Sequence, residues 1–134
     1  METHETAILK HRKDMPHCPL SACHGGDGDL DWVGVLGDND LADRRVKFVH
    51  DDVLAPGVSI GLHEHSDDEE YYFIVSGSGT MTLNDERVDV SDGDIAAVFP
   101  GGKHALENTG NGPLRIIVFS VATGMPNQPS HHTA

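Results

Sequence analysis

The residues with the clearest chemical potential are His63, His65, Glu70 and His104. His63 and His65 stand two apart in the stretch His63-Glu64-His65-Ser66-Asp67-Asp68-Glu69-Glu70. On a β-strand that spacing projects both imidazoles from one face. Neutral imidazole is the commonest protein ligand for first-row transition metals. A carboxylate a few residues on, across a short turn, can return to the same place. A third imidazole must come from elsewhere, and His104 opens a strand just after Pro100-Gly101-Gly102. Taken singly, the His-x-His pair reads as a surface feature and Asp67 to Glu70 as a solvated acidic turn. The register of the whole chain must decide.

Other reactive side chains have weaker patterns. Tyr72 shares its strand parity with Glu70, so its ring should look the same way. There it would serve as a hydrogen-bond or proton donor, or simply as a packed ring. His17-Cys18 and Cys23-His24 frame a His-Cys-x4-Cys-His pattern. That spacing is looser than a zinc knuckle, so the thiols read as ordinary cysteines in an N-terminal segment. Trp32 reads as packing and His50, without an obvious partner, as a surface residue. No serine–histidine–aspartate set and no phosphate-cradling glycine loop is present.

The elements that must position these residues are strands. Val58, Ile60 and Leu62 alternate with Ser59, Gly61 and His63. That period of two is a strand signature. It places the small Ser59 and Gly61 on the histidine face, as the wall of a cavity would require. It turns Val58, Ile60 and Leu62 toward a second layer or another subunit. Tyr71 to Val75 is a continuous apolar run, expected of a strand covered on both faces. Thr80 to Leu83, Arg87 to Val90, Ile95 to Phe99, His104 to Asn108 and Leu114 to Val121 are further strands. Glycine, proline and aspartate turns separate them, which predicts an all-β sandwich or barrel. Residues 1–45 read as an N-terminal arm with one or two short strands, 46–121 as the barrel, and 122–134 as a mobile C-terminal tail.

Composition sets the outer limits. The 134 residues suit one domain. A formal charge of −13 argues against nucleic acid and anionic membranes as partners. No apolar run is long enough to span a bilayer, and Met1 to Lys13 lacks a secretory h-region. Two cysteines do not make a disulfide scaffold. A cytoplasmic location is the resulting expectation.

Two motifs carry a family resemblance. Gly57, His63, His65, Glu70 and Gly77 follow the spacing Gly-x5-His-x-His-x4-Glu-x6-Gly. Gly93, Phe99, Pro100, Gly101, His104 and Asn108 follow Gly-x5-Phe-Pro-Gly-x2-His-x3-Asn. The pair resembles the two motifs of the cupin superfamily, with Phe99 where proline is usual. The likeness runs over about residues 46–121 and is similar to the small oxalate-decarboxylase-like group. It implies a double-stranded β-helix, a jelly-roll barrel with two facing sheets. It also implies one divalent transition metal, Mn, Fe, Ni, Co or Zn, held by His63, His65, Glu70 and His104. Glu69 competes with Glu70, but the six residues to Gly77 favour Glu70. Asn108 or Tyr72 would orient a ligand or the substrate.

The resemblance further implies a metal-dependent enzyme acting on a small organic acid, as a decarboxylase or dioxygenase. Tyr72 is the first candidate for its proton donor and His24 the second, if the arm folds over the barrel mouth. Isomerisation or epimerisation of a sugar or sugar acid is an alternative reading. A non-catalytic metal-dependent binding module is another. A homodimer is expected, since small cupins often exchange N-terminal strands.

Overall fold

Alternating apolar and polar residues between tight turns give strands throughout. The computed structural model describes residues 2–3 and 6–128. The end of the tail, 129–134 with His131 and His132, lies outside the described residues. Strand β1 is Glu2–Thr3, β2 Ile8–Leu9, β3 His17–Ser21, β4 Asp29–Leu36, β5 Val46–Leu54 and β6 Ser59–Glu64. Strand β7 is Asp68–Ser76, β8 Ser78–Leu83, β9 Glu86–Ser91, β10 Ile95–Val98, β11 Lys103–Glu107 and β12 Leu114–Ala122. Two single 3-10 turns, Arg12–Asp14 and Cys23–Gly25, complete the described elements.

The six-stranded sheet runs β10-β7-β12-β5-β4-β3 and the four-stranded sheet β6-β11-β8-β9, while β1 and β2 pair separately. All pairings are antiparallel. The two sheets face each other as a double-stranded β-helix. Leu54, Ile74, Ile116 and Val118 from the larger sheet meet Ile60, Met81 and Leu106 from the smaller one in a single buried core. Side chains of this kind each contribute about 1.5–3 kcal/mol when fully buried.

A bulge in β6 corrects the expected facing of its side chains. Leu106 of β11 pairs with Ile60 and His104 with His63, so two steps on β11 span three on β6. An extra residue on one strand reverses the alternation beyond it. Ile60 and His63 therefore both point inward, three residues apart. Ser59 and Gly61 lie instead on the outer face, beside Thr80, Thr82 and Ala105. Val58 and Ile60 are buried in the core, and Leu62 is exposed. The three do not form one outward apolar face.

Strand β7 also departs from expectation. Asp68, Glu70, Tyr72 and Ile74 are buried, while the residues between them are not. The apolar run Tyr71 to Val75 thus covers both sides of one sheet rather than lying between two layers. Tyr71 stacks on Phe119 with ring centroids 4.8 Å apart, and Phe73 is exposed, so neither belongs to the interior.

The arm is more structured than its composition suggests. Leu30 and Val33 of β4 are buried, and β4 pairs with both β3 and β5. Ala22 (φ 48) and His24 (φ 51) are left-handed, and Gly25 follows at φ 80. These residues turn the chain sharply at the edge of β6. Ser59 N–H donates to Asp27 O at 2.9 Å, and Asp27 N–H donates to Ser59 Oγ at 2.8 Å. A free sheet edge is covered in this way. The segment after Val121 is docked as well: Asn127 Nδ2 donates to Leu41 O and Val46 O at 2.9 and 2.8 Å.

Candidate metal centre

The bulge in β6, the register of β11 and the parity of β7 aim four donor side chains at one point. His63 and His65 follow the bulge, His104 lies opposite His63 on β11, and Glu70 comes from the facing sheet. One ligand atom from each lies within 4.8 Å of the others. His104 Nε2 is 3.0 Å from His63 Nε2, 3.1 Å from His65 Nε2 and 3.0 Å from Glu70 Oε1. Glu69, the rival carboxylate, instead accepts a hydrogen bond from Tyr71 Oη at 2.8 Å on the outer face.

Tautomers decide what these nitrogens present. His63 Nδ1 lies 2.8 Å from Gly61 O, and a carbonyl only accepts, so Nδ1 carries the proton. His65 Nδ1 lies 2.8 Å from Asp68 Oδ1, an acceptor when ionised. Burial works to raise the Asp68 pKa, but hydrogen bonds from Lys47, His65 and Ser120 bring it below the ordinary carboxylate value. In the neutral tautomer so fixed, each of these imidazoles turns an Nε2 lone pair inward. His104 Nε2 has at most one proton to offer three neighbours. A cation satisfies such a set where protons cannot. Donors about 2.1 Å from a transition metal lie about 3.0 Å apart at adjacent octahedral positions and about 3.4 Å apart in a tetrahedron. The three spacings from His104 and the 3.2 Å between His65 Nε2 and Glu70 Oε1 fall in that range, and His63 Nε2 lies slightly farther from Glu70 Oε1 at 3.6 Å, so the donor set fits a divalent transition metal.

Electrostatics agree with this arrangement. Burial disfavours the charged form of Glu70, but the hydrogen bond with His104 and the nearby His63 and His65 rings outweigh it and hold the carboxyl well below its usual range. Burial lowers the His104 pKa despite the opposing pull of Glu70, which keeps the ring neutral. The His63 pKa is raised: burial opposes the charge, but Glu70 and the Gly61 carbonyl prevail.

Six side chains named from the sequence come together here. Besides the four donors, the Tyr72 ring lies 4.5 Å from that of His104 and is buried. The His24 imidazole stacks on His63, centroids 3.7 Å apart and planes 13° apart. The arm thus reaches the centre. Cys23 packs against the core, and burial raises its thiol pKa, with Asp52 and Glu70 adding to the effect. Burial also lowers the His24 pKa, and neighbouring His63 adds to that.

Asn108 is not a partner of this centre. Its Nδ2 donates to Leu54 O and Gly112 O, both at 2.8 Å, and its Oδ1 accepts from Gly110 N at 2.9 Å. It ties a loop to the barrel end. Asp68 was hidden by its acidic neighbours and takes the orienting role instead. Its Oδ2 accepts from Lys47 Nζ at 3.0 Å and Ser120 Oγ at 2.9 Å, leaving Oδ1 for His65. The signals for it were its parity with Glu70 and its position three residues after His65. A carboxylate–histidine pair of this kind fixes a metal ligand.

Residues 51–120 match the cupin domain family. An oxalate-binding protein of Thermotoga maritima is 32% identical over 102 residues, covering 76% of this chain and 84% of that one. This chain belongs to the cupin family. An uncharacterised protein of Methanocaldococcus jannaschii is 44% identical to this cupin over 68 residues, 51% of this chain and 54% of its own. A solved structure from Thermotoga maritima, described as a predicted oxalate decarboxylase, superposes with a TM-score of 0.78. It shares 26% identity and covers 86% of this cupin and 99% of itself. Among the described residues, no helix of this cupin is long and apolar enough to cross a membrane.

Proposed function

We propose that the protein is a metal-dependent enzyme that acts on a small organic acid, with oxalate the first substrate to test. The observation that carries this reading is the inward convergence of three imidazoles and Glu70, with the tautomers of His63 and His65 fixed from behind. The Thermotoga maritima relatives, an oxalate-binding protein and a predicted oxalate decarboxylase, support the substrate class. A divalent metal held by His63, His65, Glu70 and His104 would supply Lewis acidity toward the carboxylate oxygens of such an acid.

The protein's own residues would manage the proton. In oxalate decarboxylation the carbon–carbon bond breaks, carbon dioxide leaves, and the remaining carbon takes up a proton to give formate. Burial beside Glu70 holds the Tyr72 hydroxyl well above its usual pKa, so it stays protonated. It is the better donor. His24, whose pKa is lowered, is neutral at pH 7 and suits shielding the ligands from water more than donating to the substrate.

Tyr72→Phe should therefore lower turnover by about 10²–10⁴-fold. It should leave metal content and oxalate affinity nearly unchanged. Formate and carbon dioxide release by protein loaded with Mn, Fe, Co, Ni or Zn measures the first, and calorimetry the second. Oxalate binding without turnover under every metal would replace the enzyme with a binding module. The oxalate-binding protein of Thermotoga maritima favours that second reading.

Self-association is part of the proposal. Ile95 pairs with Phe73 and Phe73 with Ile117 across the outer face of the six-stranded sheet, and Ile95 and Phe73 are exposed. This row would join two copies as a two-fold homodimer. Light scattering should give twice the chain mass, and Phe73→Glu should halve it. A monomeric mass for the unmodified protein would refute the dimer.

A further inference from the structure

A cavity of about 420 Å³ lies away from the four donors. That is within the ~300–1,000 Å³ typical of ligand sites. Trp32 and Gly34 of β4 and Phe48 and His50 of β5 line it, with Pro16 and Lys10 from the arm. Phe48 and Glu70 both lie opposite Ser120, on either side of β12. The cavity is therefore two interstrand spacings, roughly 10 Å, from Glu70.

Its walls are built rather than incidental. A Cβ on Gly34 would fall 2.7 Å from Trp32 Cη2 and 3.2 Å from Pro16 Cγ. Glycine there lets the indole lie flat against the sheet. Lys10 Nζ is fixed 3.0 Å from Asp40 Oδ2, which also accepts Gly37 N–H at 2.9 Å, and this pair stiffens the rim. His50, expected at the surface, is held instead. Its Nδ1 lies 2.9 Å from Asp52 Oδ1; burial raises the pKa of that carboxyl, and the bond with His50 opposes the rise, as an imidazole N–H donated to the carboxylate would. Its ring stacks on Phe48 at 5.0 Å and tilts toward Trp32 at 5.9 Å.

With Nδ1–H committed to Asp52, His50 offers the cavity an Nε2 lone pair, a hydrogen-bond acceptor beside two flat apolar rings. Asp38 also lines the cavity. On a chain of net charge −13 it disfavours an anionic ligand. We infer that this cavity is a second binding site, independent of the metal centre, for a neutral hydroxyaromatic molecule of the phenol class. The ring lies against Trp32 and Phe48, and the hydroxyl donates to His50 Nε2.

Trp32 is the sole tryptophan, so its indole N–H gives one assignable resonance in a nitrogen-15 correlation spectrum. Phenol titrated into the full-length protein should move that resonance saturably. Anisole, which keeps the ring but lacks the donor, and benzoate, which adds charge, should each bind at least tenfold more weakly. His50→Phe should weaken phenol at least tenfold, and Asp52→Asn, which frees the imidazole tautomer, should weaken it several-fold. Both should keep the wild-type pattern elsewhere in the spectrum. The His63→Ala/His104→Ala variant should bind phenol as the wild type does. No saturable shift would overturn the assignment, as would equal affinity for anisole or undiminished binding by His50→Phe. Loss of binding in the His63→Ala/His104→Ala variant would place phenol at the metal centre and overturn it equally.

Discussion

Replacing His104 with alanine should abolish the response of the protein to transition metals. His104 Nε2 is the atom that the other three donors all approach, so no remaining pair can replace it. A metal at a hundred times its dissociation constant stabilises a folded protein by about 2.7 kcal/mol. For a chain of this length that raises the melting temperature by about 8–12 °C. Thermal melts of wild type and His104→Ala, each stripped and then given Mn, Fe, Co, Ni or Zn, measure the difference. The wild type should gain stability with at least one metal and the variant with none. Asp68→Asn should fall between them, losing about 10–100-fold in metal affinity. It removes the charge that fixes His65 but leaves all four donors in place. An Asp68→Asn variant as insensitive as His104→Ala would mean that Asp68 builds the site rather than orients it.

Gly61→Ala should lift the arm from the barrel. A Cβ at this position would sit 2.1 Å from His24 O and 2.9 Å from Gly26 N, both backbone atoms. Neither has a rotamer to change. Forcing extra bulk into a packed contact costs about 1–3 kcal/mol. The arm can escape that cost by undocking, because its turn already holds two non-glycine residues, Ala22 and His24, in the left-handed region. Thiol labelling reads the result. Cys18 is exposed and Cys23 half-buried. The wild type should label quickly at one thiol and slowly at the other, whereas Gly61→Ala should label quickly at both. Gly37→Ala, with open space around the added methyl, is the control and should behave as wild type. Continued protection of Cys23 in Gly61→Ala would refute the docked arm.

The four candidate donors were legible because the spacing of three of them is local. His63, His65 and Glu70 lie within eight residues, and the two turn-bounded motifs fixed where His104 must return. The six residues to Gly77 favoured Glu70 over Glu69, and strand parity with Glu70 turned Tyr72 inward. What could not be read was the break in alternation. A period-two pattern carries no mark of the extra residue in β6, so Ser59 and Gly61 were expected inside and lie outside. Their small size serves the arm crossing that edge, not a cavity. Asp68 was obscured because it sits among four consecutive acidic residues. Its partners Lys47 and Ser120 lie on strands distant in sequence. His50 and Asp52 share a face of one strand by their two-residue spacing, but Trp32, which flanks His50, joins them only through the pairing of β4 with β5.

Four donors convergent in this way should hold one metal ion. Elemental analysis of untagged protein, stripped and reconstituted, tests it most directly when run beside the His63→Ala/His104→Ala variant. About one transition-metal ion per chain in the wild type, and almost none in the variant, is the predicted result. Equal metal in both proteins, or none in either after reconstitution, would contradict it.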